Sequence, residues 1–135
     1  MAVLVTNRGF RADDWTAPVH PLDALGEASA GPLAVDLPND RDPAELAPWL
    51  DRLALVRVAF PAMGDGRGFS IARRLRGMGY TGRLRAAGPL VADQARAAWR
   101  VGFDEVELPE EVAARQGAEA WTPRRQGSYQ DRLRA

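Results

Sequence analysis

Six consecutive residues, Asp65-Gly66-Arg67-Gly68-Phe69-Ser70, bring together a carboxylate, two glycines, a guanidinium and a hydroxyl. Glycine lets the backbone approach a ligand closely, and a helix N-terminus and a guanidinium both favour negative charge. The chemistry this composition can do is anion binding: backbone donors from Gly66 and Gly68, a hydroxyl from Ser70, and guanidinium forks from Arg67 and from Arg85 farther along the chain. Asp65 is a weak candidate for an acid/base group, and no other catalytic residue offers itself. A purely structural reading competes, in which the run is a tight βα connection, Asp65 caps or turns it, and Arg67 pairs with Asp36 or Asp93. The spacing fits neither a Walker loop nor the dinucleotide G-x-G-x-x-G, and a Walker loop also needs a lysine that this chain lacks.

The elements that must hold such a loop are readable around it. Residues 33–37, 53–60, 83–87 and 104–108 are short apolar strand candidates separated by helical patterns. Asp42-Pro43-Ala44-Glu45 reads as an N-cap, a proline at the first helical position and a capping-box Glu, with Pro48 set to shorten or kink the helix. Ile71, Ala72, Leu75 and Met78 form an apolar stripe that leaves Arg73, Arg74 and Arg76 toward solvent or a site. A third helix spans about 90–101, and a fourth begins at Pro109 with Glu110 and Glu111 in its first turn.

Strands alternating with single helices imply an α/β fold of repeated βα units on a parallel sheet. The sheet is either half of a (βα) barrel, which the regular spacing favours, or a small doubly wound sheet. Ligands sit at the C-terminal ends of such strands, which puts Asp36, the loop from Pro61 to Gly68, Gly88 and Glu107 on one rim. Residues 2–6 and 10–16 flank the turn-like Asn7-Arg8-Gly9 as a small N-terminal hairpin, and Ala17 to Pro32 reads as linker with a short helical turn at 22–25. The chain is expected to be one domain over 1–135: hairpin and linker to 32, a βα core over 33–118 and a tail over 119–135.

Composition narrows the chemistry. The 135 residues balance 18 basic against 18 acidic groups, every basic one being Arg, and Cys is absent. Without thiols, no iron–sulfur or thiol-linked cofactor is expected, and without Lys there is no Schiff-base chemistry. The cofactor stays unknown. A neutral charge balance gives no footing for nucleic acid, and no apolar run is long enough for a membrane span. The start Met1-Ala2-Val3-Leu4-Val5 reads as a strand rather than a signal peptide, so the cytoplasm is the expected compartment.

The remaining candidates are weaker. His20, the single histidine, sits between prolines in the expected linker as a surface residue, and Asp13, Asp14 and Asp36 lack a metal-ligand spacing, so no metal site is expected. Trp49 and Trp99 read as core anchors, and Asp93 and Gln94 as support for a helix N-terminus. Apolar sheet edges make a partner or a homo-oligomer an expectation.

Phe60-Pro61, the 65–70 run, Ala72-Arg73, Leu75-Arg76, Gly79-Tyr80, Gly82, Leu84-Arg85-Ala86, Gly88, Asp93-Gln94 and Gly102-Phe103-Asp104 together resemble the signature of a small bacterial family of unknown function. Its members carry the label of an oxidoreductase of sulfite reduction and are encoded beside assimilatory sulfite reductase. The resemblance covers about 33–108, and Ser128-Tyr129-Gln130 resembles the family's C-terminal end. It implies a pathway and no mechanism, because the family supplies no established catalytic residue. Lacking Cys, the chain resembles neither the sirohaem and iron–sulfur subunit of sulfite reductase nor a thiol-dependent sulfonucleotide reductase. An electron carrier would need a noncovalent flavin or nicotinamide, for which no fingerprint is present. Two functions are therefore expected: an accessory protein that binds an anion, sulfite reductase or another sulfate-assimilation protein, or a small α/β enzyme acting on an anionic substrate.

Overall fold

The structure is a computed structural model describing residues 3–6, 8–27, 32–61, 66–90 and 92–115. Seven strands form one mixed sheet: β1 (Val3–Thr6), β2 (Gly9–Arg11), β3 (Val19–Pro21), β4 (Leu33–Leu37), β5 (Leu53–Ala59), β6 (Arg83–Ala87) and β7 (Glu105–Leu108), in the order β2-β1-β7-β6-β5-β4-β3. The pairs β3–β4, β4–β5, β5–β6 and β6–β7 are parallel, whereas β1 pairs antiparallel with both β2 and β7. The five parallel strands lie in chain order without a reversal, so the arrangement is that of a half barrel and not of a doubly wound sheet. Right-handed crossovers then set the helices on one face. There Val35, Leu37, Val56, Val58, Leu84, Ala86 and Val106 pack against Ile71, Leu75, Ala95 and Ala98 in one core. Among the described residues no helix is long and apolar enough to cross a membrane.

The expected hairpin is present, with a second strand of only three residues, and its first strand also closes onto β7. The expected linker is not simply linker. Within it Val19–Pro21 forms β3, an edge strand where a proline is tolerated, followed by a 3₁₀ helix over Leu22–Glu27. His20 therefore belongs to a strand, in register with Val35. Pro43–Trp49 is a 3₁₀ helix: the Asp42 carboxylate accepts from the Ala44 N–H at 2.9 Å as expected, while Pro48 lacks the N–H that an α-helix there would need.

The α-helices are α1 (Arg67–Gly77), α2 (Ala92–Val101) and α3 (Glu110–Arg115). Both α1 and α2 end in the same device, in which a glycine at positive φ, Gly79 or Gly102, turns the chain so that a buried aromatic residue follows. The Tyr80 N–H reaches the Leu75 carbonyl at 3.0 Å and the Phe103 N–H reaches that of Ala98 at 3.0 Å. Arg76 fastens these two ends together. Its guanidinium donates to the carbonyls of Gly102, Tyr80 and Gly82 and to the Asp104 carboxylate, all between 2.8 and 3.0 Å. Arg76 is thus not turned to solvent or a ligand, because the open carbonyls at two helix ends use its donors.

Candidate functional site

The start of α1 carries the residues singled out by sequence. Gly66 is the N-cap residue and makes no side-chain cap, so the first N–H groups of the helix point outward without that partner. Arg67 and Ser70, one turn apart and both exposed, line an open cleft of about 460 Å³ with Arg74 and with Asn39 to Pro43 of the loop after β4. Asp42 pairs with Arg74 across this cleft at 2.9 Å. On the far wall Arg41 bridges Glu45 at 2.6 Å and Asp23 at 3.2 Å. Gly68 acts in packing instead. A Cβ there would overlap the Phe60 ring, so its small size lets α1 settle onto the end of β5. Asp65 lies outside the described residues, and so does the side chain of Asp93.

Arg85 is not part of that cleft. It stands on the sheet face away from the helices, only 2% exposed, and is held by Glu105 at 2.5 Å, Glu107 at 2.9 Å and Asp13 at 3.2 Å. Beside it Arg57 donates to Glu107 through Nε and Nη2 and to Asp36 through Nη1 at 2.8 Å. Asp36 therefore serves Arg57 and not Arg67. Strand register explains the network. Arg57 is directly opposite Arg85, a repulsive placement, with Asp36 and Glu105 flanking them and Glu107 reaching both guanidinia. One turn of the pleat nearer the N-terminal ends, Arg83 bonds Glu105 at 2.8 Å and Asp14 at 2.9 Å.

The network fixes charge states. Burial raises the Glu107 pKa, but hydrogen bonds and charge from Arg57 and Arg85 outweigh it and hold the carboxyl below its ordinary range. Burial likewise pulls Arg85 down, and the Glu105 charge with hydrogen bonds to Asp13, Glu107 and Glu105 more than reverses this. A carboxylate held ionised between guanidinia is a poor proton carrier near neutrality.

The expected C-terminal rim exists, in part. Above the Arg57–Glu107 pair, Ala59, Phe60, Pro61, Ala87, Gly88 and Pro109 line a cleft of about 320 Å³. Gly88 is required there, since it has a φ of 153° and a Cβ would run into the Phe60 carbonyl. Among the described residues no group of three His, Asp or Glu is placed to hold a metal. Sequence reasoning missed Arg57 and Glu105. Their signal was alternation: Arg83 and Arg85 two apart on β6, Glu105 and Glu107 two apart on β7, and the lone Arg57 within apolar β5, all out of phase with the apolar face.

Residues 34–135 match a family model described as a bacterial protein of unknown function, DUF934. No curated protein and no solved structure matches the chain.

Proposed function

We propose that this chain, which belongs to the DUF934 family of bacterial proteins of unknown function, is an accessory protein of assimilatory sulfite reduction. In this reading the start of α1 holds an anionic group, either a sulfur oxyanion or an acidic side chain of a partner such as sulfite reductase. The observation that carries it is the grouping at the start of α1, where Arg67 and Ser70 are exposed at a helix start without a side-chain cap and line one open cleft with Arg74. The helix end contributes on the order of 0.3–1 kcal/mol to holding a negative charge, and a guanidinium adds a charge-assisted hydrogen bond. The pathway itself comes from the resemblance of the 65–70 run and its neighbours.

Calorimetric titration with sulfite and sulfate, and co-purification with sulfite reductase, test this reading. Arg67→Ala combined with Ser70→Ala should lose at least about tenfold in whichever interaction is found while the protein stays folded. Unchanged binding by that variant would overturn the placement. Turnover by the isolated protein, unaffected by these substitutions, would favour instead a small enzyme working at the rim cleft beside Arg57, Gly88 and Glu107.

A further inference from the structure

The segment from Ala12 to Pro18 belongs to no helix or strand, yet it links the two opposite edges of the sheet. A flat seven-strand sheet with strands about 4.8 Å apart would separate those edges by about 29 Å. The eight steps from Arg11 to Val19 reach at most roughly 26–29 Å when fully extended, which leaves the segment little or no slack. It crosses the charged face of the sheet as a strap. Its contacts agree: Asp13 meets Arg85, Asp14 meets Arg83, and Trp15 lies 5.7 Å from the Arg83 guanidinium.

Docking of this strap is looser than the network beneath it. Arg85 and Glu105 meet at 2.5 Å with side chains 2% and 4% exposed. Asp13 reaches Arg85 by two contacts of 3.2 Å and is 36% exposed, and Asp14 is 53% exposed and divided between Arg83 and Arg11. Among the described residues no backbone–backbone hydrogen bond ties residues 12–18 to the sheet; the Trp15 N–H turns back to the Asp13 carboxylate. The Trp15 indole N–H is buried without a hydrogen-bond partner among the described residues, a penalty that ends once the strap lifts into water. Asp13 is also the acceptor for Arg85 Nη2 among the described residues, so a departing strap leaves that buried donor open while Glu105 and Glu107 still hold the rest of the guanidinium. The arginines lie within the family-matched residues, and the strap does not.

We propose that Arg83 and Arg85 form a binding site for a small dianion, and that Asp13 and Asp14 occupy it as a displaceable internal ligand. The two guanidinia project from alternate positions of one strand, about 6.6 Å apart at the backbone. The ligand they fit is a short dicarboxylate that brings the same two negative charges as the strap at a similar spacing. This site is separate from the start of α1, so either can fail without the other.

The test compares adipate and acetate binding to the full chain and to Asp13→Asn/Asp14→Asn, with hydrogen–deuterium exchange over residues 12–18. A tethered competitor acts at an effective concentration on the order of millimolar, so neutralising it should tighten adipate binding by about tenfold or more. Acetate should remain weaker than adipate, and adding Arg83→Gln should reverse the gain. In the unaltered protein, saturating adipate should speed exchange across the strap. Equal adipate affinity in the folded variant and the unaltered protein overturns the proposal. If the variant does not fold, unchanged strap exchange under saturating adipate overturns it as well.

Discussion

On the helix side of β5 and β6, Val56, Val58, Leu84 and Ala86 are fully buried among apolar neighbours. On the other side of the same two strands, Arg57 and Arg85 sit among Glu105, Glu107, Asp36 and Asp13. Arg85 and Glu105 are as well buried as the apolar side chains, while Arg57, Asp36 and Asp13 keep part of their surface in water, and the two faces hold together differently. Apolar packing is non-directional, and a truncated side chain loses its own transfer energy plus a cavity. An ion-pair network depends on every member: deleting one leaves its partners buried and uncompensated.

The strongest way to break this contrast is Arg85→Ala, expected to lose about 4 kcal/mol in urea unfolding because buried Glu105 is left with Arg83 alone and Glu107 with Arg57 alone. Arg85→Met with Glu105→Leu should recover much of that loss; if the pair is no more stable than the single variant, the charged face does not behave as a coupled unit. Leu84→Ala, one residue away on the opposite face, should lose about 3 kcal/mol, and no second substitution on the charged face should rescue it. A smaller effect separates the faces by pH. The folded pKa of Glu107 is lowered from its ordinary 4.5, so its stabilisation is complete above that value and is lost as pH falls through the folded pKa. Asp13 and Asp14 shift in the same direction. The urea midpoint should therefore fall on acidification below about pH 4.5, and less steeply in Glu107→Gln than in the unaltered protein. The smallest expected change in stability, within about 0.5 kcal/mol, is for exposed Arg67→Ala. That variant sharpens the contrast because its deficit should appear in anion binding alone.

The strands and helices of the βα core were legible because their signals are local. Short apolar runs marked β4 to β7, and the 71, 72, 75 and 78 stripe marked α1. Less legible was β3, whose Val-His-Pro carries almost no strand signal and is held by pairing with β4. The site was legible only in pieces. Gly66, Arg67, Gly68 and Ser70 do lie together at a helix start, but Arg85 lies on another face, and Gly68 serves packing against Phe60.

By itself the sequence determined the α/β class, the order of the main elements, the lack of Cys in its 135 residues and the run that carries the family resemblance. The tertiary structure alone decided which arginine meets which carboxylate. Arg76 could have been an anion ligand and became the fastener of two helix ends, while Arg85 found Glu105 20 residues away and Asp13 72 residues away. Charge attracts without regard to chain distance, so partner choice followed strand order, register and the path of the strap, none of which a local pattern encodes.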